Sequence, residues 1–156
     1  FSDRFEANVE ARHVLRATMH ERSTACITSG FIHLSRNYMP ETYTQVTSVS
    51  ELDEVFKKSA RETVVLFNHD PWCPISGRAF KQMAHVDYPT EMVDVSKAHD
   101  VSAMIAARTG VKHESPQIII LRDGQPQWNA SHFAITTDAV TSAIASIEKH
   151  DAASGE

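Results

Sequence analysis

Two apolar runs constrain the fold more than any other feature of this chain. Residues 63–68 read TVVLFN and residues 117–122 read QIIILR, and charged or polar residues bound both runs. A strand that is apolar along its whole length must be covered on both faces. The sequence therefore predicts a buried strand at 63–68 and a strong strand at 117–122, within a sheet flanked by helices on both faces.

The segments around these runs alternate between helical and extended patterns. Ser50 is the predicted N-cap of a first helix, with Asp53 as its capping partner, and Gly110 is the predicted end of a later helix. Asp123-Gly124 is a hairpin turn signal. The remaining predicted elements are a helix after Pro74, a strand at 91–95, a helix at 98–109, a strand at 127–131 and a helix at 137–148.

This order, α-β-α-β-α-β-β-α, is that of an α/β thioredoxin-like fold with a central mixed sheet flanked by helices. We expect the domain at residues 43–149, an N-terminal extension at 1–42 that is loosely structured, and a disordered C-terminal tail at 150–156. Met39 suggests a natural start after an upstream extension, although a loosely docked N-terminal helix is an equal alternative.

Net charge, apolar runs and the numbers of histidines and cysteines argue against several classes of function. The net charge of −5 gives no reason to expect a nucleic-acid partner, and no apolar run is long enough to span a membrane. Nine histidines are scattered without metal-ligand spacing, so no metal site is predicted. The two cysteines are too few for a disulfide framework, and the first residues, FSDRFEANVE, lack a secretory apolar region. We therefore expect a cytoplasmic protein whose cysteine chemistry is reactive.

Cys73 is the predicted catalytic residue. It follows a buried strand and opens a helix in Trp72-Cys73-Pro74-Ile75-Ser76. The N-terminus of a helix presents unpaired N–H groups and a positive dipole end, which favour a thiolate. Ser76 stands where a C-x-x-C motif has its second cysteine, and its hydroxyl can hydrogen-bond the sulfur but cannot resolve a disulfide. The site is therefore predicted to be monothiol.

Pro116 is predicted to face the sulfur. It stands directly before the strongest strand, and thioredoxin-like folds place a cis-proline there. Ser115 would then offer its backbone to a substrate. The alternative is a trans proline that opens an edge strand.

Several side chains near these motifs have competing interpretations. His69 is close enough to influence Cys73, but we expect it to be exposed to solvent, with Trp72 a partly exposed wall and Trp128 in the core. Cys26 would resolve Cys73 only if the N-terminal segment folded over the active site.

Three segments, taken together, resemble the monothiol bacilliredoxins, which are small thioredoxin-like proteins of the bacillithiol system. They are Cys73-Pro74-Ile75-Ser76, Gly110-Val111-Lys112-His113-Glu114-Ser115-Pro116-Gln117 and Trp128-Asn129-Ala130-Ser131-His132. The resemblance runs from Val46 to the last helix and leaves residues 1–38 unmatched. The chain departs from the family's usual pattern at Asp70-Pro71-Trp72 and at Lys97-Ala98-His99-Asp100, which leaves open whether bacillithiol is preferred over glutathione.

The resemblance implies a thiol–disulfide oxidoreductase that removes bacillithiol or a similar low-molecular-weight thiol from protein mixed disulfides. Cys73 would be the nucleophile, and the substrate would contact Trp72, Pro74, Ser76, Ser115 and Pro116. The residues that match the family without an assigned role are His113, Glu114, Gln117 and His132. No bound cofactor is implied, because the low-molecular-weight thiol is the reductant and S-thiolated proteins are the substrates.

Two other functions stay open on the sequence alone. A non-catalytic thioredoxin-like module could bind a protein partner without using Cys73 chemically. Cys73, His69 and His113 could instead converge on copper or zinc.

Overall fold

The computed structural model describes residues 42–154. This part of the chain forms five strands, four helices and one short 3₁₀ turn at His132–Ala134, here called the 132–134 turn. The strands are β1 Tyr43–Gln45, β2 Val64–His69, β3 Thr90–Asp94, β4 Gln117–Arg122 and β5 Gln125–Ser131. The helices are α1 Val49–Ser59, α2 Pro74–Met83, α3 His99–Thr109 and α4 Thr137–Ser154.

The strands form one sheet in the order β1-β3-β2-β4-β5. β1, β3 and β2 run parallel, whereas β4 is antiparallel to both β2 and β5. All residues of β2 are buried, as are those of β4 except Arg122. The predicted mixed sheet is confirmed, and its two apolar runs form the neighbouring inner strands β2 and β4.

A separate apolar core covers each face of the sheet. On one face, Leu52 of α1 and Val101 of α3 pack against Leu66. On the other, Ala79 of α2 and Val140 of α4 pack with Phe67 of β2. Successive side chains of β2 thus pack into the cores on opposite faces of the sheet, because side chains alternate between the two faces along a strand.

The start of α1 and the end of α4 differ from the prediction. Ser48, not Ser50, caps α1, and its hydroxyl accepts a hydrogen bond from the backbone N–H of Glu51 at 3.2 Å. The Glu51 carboxylate accepts a hydrogen bond from the Ser48 N–H, so the capping box lies two residues earlier than predicted. The prediction of a disordered tail is wrong for residues 150–154, because α4 continues to Ser154. The predicted extension lies outside the described residues up to position 41, and Cys26 with it.

The register between β2 and β4 positions the loops at one edge of the sheet. Asn68 near the end of β2 lies opposite Gln117 at the start of β4. The segment that follows β2 and the segment that precedes β4 therefore meet at that edge. None of the helices in residues 42–154 has the length and apolarity needed to cross a bilayer.

Candidate active site

Cys73 lies at the end of a tight turn between β2 and α2. Asp70 holds this turn together, because its backbone carbonyl accepts a hydrogen bond from the Cys73 N–H at 3.2 Å. One carboxylate oxygen of Asp70 also accepts a bond from the Trp72 N–H at 2.9 Å. Aspartate often makes such a local bond in turns. Cys73 itself is partly exposed, so a substrate can reach it.

The cysteine is the N-cap residue of α2. Its backbone is extended, with φ −90° and ψ 122°, and its carbonyl accepts the first helical bond from the Gly77 N–H at 2.9 Å. Pro74 occupies the first helical position, where an N–H would have no partner in the helix. The Cys73 side chain makes no cap hydrogen bond, but its position at the N-cap places it at the positive end of the helix dipole.

Ser76 supports the turn from inside the protein. Its side chain is fully buried, and its hydroxyl oxygen accepts a hydrogen bond from the Asp70 N–H at 2.9 Å. The sequence indicates that this hydroxyl can hydrogen-bond the Cys73 sulfur. Its observed bond instead ties the start of the turn to the first turn of α2.

The Ser115–Pro116 peptide bond is cis, the isomer that the sequence predicts. Pro116 is buried, and its carbonyl oxygen accepts a hydrogen bond from the His132 N–H at 3.0 Å. This bond fastens the 132–134 turn to the loop before β4. Because β2 and β4 are paired, that loop lies at the same sheet edge as the turn that bears Cys73.

Gln117 anchors the loop before β4. Its side chain is 2% exposed, and its amide oxygen accepts a hydrogen bond from the Asn68 side-chain nitrogen at 3.2 Å. Its amide nitrogen donates to the Lys112 carbonyl at 2.8 Å, and its oxygen also lies 3.5 Å from the Glu114 N–H. One buried amide therefore connects the strand that leads to Cys73 with the loop that leads to Pro116.

Glu114 and His132 form a polar pair beside this loop. A Glu114 carboxylate oxygen lies 3.7 Å from Nδ1 of His132, which makes an ion pair when the imidazole is protonated. A hydrogen bond from the Ser131 side chain holds the pKa of Glu114 below its ordinary value, and the nearby charges of His132, Lys112 and His113 add to this effect. His132 has φ 53°, in the left-handed region that a residue with a side chain rarely adopts. His113, which precedes Glu114 in the chain, is exposed.

His69 is buried, and the prediction that it faces solvent is wrong. Its ring lies between those of Phe67 and Phe80, with centroid distances of 5.3 Å to each. Burial lowers the pKa of His69 below its ordinary value, against the opposing influence of Asp94 and Asp70. The covering ring of Phe80 comes from α2, so the local sequence around His69 could not indicate this burial.

The predicted residues therefore divide by location. The sheet edge brings together Cys73, Ser76, Ser115, Pro116, Gln117 and His132, with Pro74 opening α2. Trp72, which precedes Cys73 in the chain, is 79% exposed, and Trp128 is half-buried against the core rather than within it. Within residues 42–154, no group of three or more His, Cys, Asp or Glu side chains is placed to hold a metal, so Cys73, His69 and His113 form no such cluster.

Sequence reasoning missed three residues at this edge. Asn68 is the partner of Gln117, and only strand register could have paired them. Asp70 had a detectable signal, because aspartate followed by proline is typical of a turn. Arg78 contacts the ring of Phe133, which depends on how the 132–134 turn packs on α2.

Comparison with known proteins agrees with this geometry. The family described as "Monothiol bacilliredoxin BrxC" matches residues 44–140. A provisionally assigned oxidoreductase with a thioredoxin fold is 28% identical, with a TM-score of 0.61 over 65% of this chain and 93% of its own.

Two thioredoxins share the fold at lower identity. That of Trypanosoma brucei brucei is 16% identical, with a TM-score of 0.57 over 69% of this chain and 91% of its own. A mutant thioredoxin from Halobacterium salinarum NRC-1 is 18% identical, with a TM-score of 0.51 over 67% of this chain and 88% of its own. The fold is thus thioredoxin-like, and the chain is a thiol–disulfide oxidoreductase that belongs to the monothiol bacilliredoxin family.

Proposed function

We propose that the domain removes bacillithiol from protein mixed disulfides through Cys73. The observation that carries the proposal is a single cysteine at the N-cap of α2, within residues 42–154, with a buried serine in the place of a resolving cysteine. Such a site can accept one thiol group in a mixed disulfide, and an external thiol must then release it.

The reaction has two exchange steps. In the first, the Cys73 thiolate attacks the bacillithiol sulfur of the mixed disulfide, and the substrate protein leaves as its thiolate, which takes a proton from water. In the second, the thiolate of a free bacillithiol attacks the new disulfide on Cys73. This step releases oxidised bacillithiol and restores the Cys73 thiolate, so no other oxidant or reductant is needed.

The loop before β4 supports substrate binding in this scheme. Within residues 42–154, the backbone N–H and carbonyl of Ser115 make no hydrogen bond to another backbone group. They are therefore available to an extended substrate. The Pro116 carbonyl already accepts a hydrogen bond from the His132 N–H, and the Gln117 side chain anchors the loop by donating to the Lys112 carbonyl. Ser115 would therefore pair with the substrate while its neighbours keep the loop in place.

The proposal implies the reducing conditions of a cytoplasm and S-thiolated proteins as partners. The test is intact-mass spectrometry of the unmodified protein and of Cys73→Ala after exposure to oxidised bacillithiol and, separately, to oxidised glutathione. We expect one adduct that requires Cys73 and forms faster with bacillithiol. Equal labelling by both thiols would refute the bacillithiol preference, and an absence of any adduct at neutral pH would refute the catalytic role of Cys73.

A further inference from the structure

Two large apolar side chains are highly exposed within residues 42–154, and both border the active site. Trp72 is 79% exposed and Phe133 is 65% exposed. Trp72 directly precedes Cys73, and Phe133 lies in the 132–134 turn. Exposed aromatic side chains that gather around one site are typical of protein recognition surfaces.

The position of Phe133 is set by contacts on both sides of its turn. The His132 N–H bonds to the Pro116 carbonyl at 3.0 Å, which joins the turn to the loop before β4. The guanidinium carbon of Arg78 lies 5.4 Å from the centre of the Phe133 ring, which joins the turn to α2. Phe133 is therefore held between the two segments that form the active site.

Arg78 is exposed, and none of the ion pairs found in residues 42–154 includes it. The same chain contains a comparable arrangement in which the arginine is paired. Arg108 lies 5.2 Å from the centre of the Phe56 ring and forms an ion pair with Asp53. An arginine stacked on a ring keeps its N–H edge free for a carboxylate. At Arg78 that carboxylate is not supplied by the described part of the chain.

We propose that Trp72, Phe133 and Arg78 form a docking surface for the protein whose mixed disulfide Cys73 attacks. The occupant is an extended segment with an apolar side chain beside its cysteine and an acidic side chain nearby. The apolar side chain contacts the two aromatic rings, and the carboxylate pairs with Arg78. This inference rests on the proposed function, because the docked segment is the S-thiolated substrate.

The test compares three ten-residue peptides in which the single cysteine carries disulfide-linked bacillithiol. The first peptide has Phe beside the cysteine and Glu on its other side, the second replaces that Phe by Ala, and the third replaces that Glu by Lys. The full chain and its variants are assayed with free bacillithiol as reductant, and kcat and KM are measured for each peptide. Bis(2-hydroxyethyl) disulfide serves as a small substrate with neither feature.

The informative variants are Phe133→Ala and Arg78→Glu. For the first peptide we expect each to raise KM by about 5- to 10-fold, the effect of losing one recognition contact, with kcat changed less than KM. Arg78→Glu should also reverse the charge preference, so that the Lys peptide becomes the better substrate. Phe133→Leu should retain most of the affinity. Lys81→Ala, an exposed change on the same helix, is the matched control.

The outcomes distinguish a failure of the docking surface from a failure of the proposed function. If the unmodified protein releases bacillithiol from all three peptides with equal KM, the docking surface is refuted and the proposed function stands. If the variants raise KM for the small disulfide as much as for the first peptide, the surface serves the small thiol and the proposal is wrong. If sedimentation shows that Phe133→Ala dissociates a dimer, the surface joins two copies and the proposal is also wrong. If the unmodified protein releases bacillithiol from no peptide, the proposed function itself fails.

Discussion

Replacing Gln117 by Met removes the buried amide that connects β2 with the loop before β4, while the side chain keeps a similar shape. The Asn68 side-chain nitrogen, 3.2 Å from the Gln117 oxygen, would lose its partner, and Asn68 is only 2% exposed. A buried polar group without a partner costs about 1–3 kcal/mol. The Lys112 carbonyl would also lose its 2.8 Å bond, but Lys112 is exposed and water can replace the donor. We expect the free energy of unfolding to fall by about 1–3 kcal/mol.

Urea unfolding measures this change, and a double-mutant cycle with Asn68→Leu assigns it. Because the double variant replaces both polar partners by apolar groups, it should be more stable than the sum of the single changes predicts, by about 1–2 kcal/mol. Gln127→Met is the matched control, since the exposed Gln127 side chain also donates to a carbonyl, that of Arg122 at 3.2 Å. A change of less than about 0.5 kcal/mol is expected there.

The same variants test whether Gln117 positions the loop. In the double variant the unpartnered Asn68 amide is gone, but no side chain at position 117 ties the Lys112 carbonyl to β4, so adduct formation at Cys73 should stay slower than in the unmodified protein. The reasoning is refuted if Gln117→Met unfolds within about 0.5 kcal/mol of the unmodified protein, or if the cycle gives no coupling between Asn68 and Gln117.

Three further changes test other parts of the structure. Ser76→Cys should place a second thiol one helical turn from the sulfur, so the bacillithiol adduct should become short-lived by mass spectrometry; an adduct that persists would mean that position 76 cannot reach Cys73. Burial lowers the pKa of His69 below its ordinary 6.5, so the unfolded state binds a proton first and stability falls as the pH drops below about 6.5, with a slope of at most about 1.4 kcal/mol per pH unit. His69→Leu should remove that part of the slope in urea titrations between pH 7 and pH 5, and an unchanged slope would contradict the assignment. Ser48→Ala should lower the free energy of unfolding by about 1 kcal/mol, whereas Ser50→Ala should cost less, and equal effects would contradict Ser48 as the cap.

The sequence predicted the parts of the fold that depend on continuous apolar surface. The runs at 63–68 and 117–122 were predicted as strands from their residue pattern, and both are buried in the sheet, but their order in it was not predicted. β1 has three residues with none fully buried, and it was not predicted because so short an edge strand carries no such pattern. The first helix was predicted, but its cap was displaced because Ser48 and Ser50 both satisfy the local rule.

At the active site, the sequence predicted the residues that local rules determine. Cys73 and Pro74 open a helix by their own chemistry, and the cis bond before Pro116 agrees with the expectation drawn from the motif. The burial of His69 and the contact of Arg78 with Phe133 depend on packing between distant segments. A single sequence carries no local signal for such contacts.

In the turn from Asp70 to Cys73, the groups that fix the position of the sulfur differ from the side chains that a substrate meets first. The backbone of Asp70 and Cys73, the Asp70 carboxylate and the Ser76 hydroxyl make the turn, while Trp72 enters only through its backbone N–H. The side chains of Trp72 and Ile75 take no part in this network, and unlike Pro71 and Pro74 they do not fix the backbone, so they can change without moving Cys73. The turn can therefore acquire a new entrance surface in few mutations while its chemistry stays constant, which is how one exchange reaction can be redirected to different proteins.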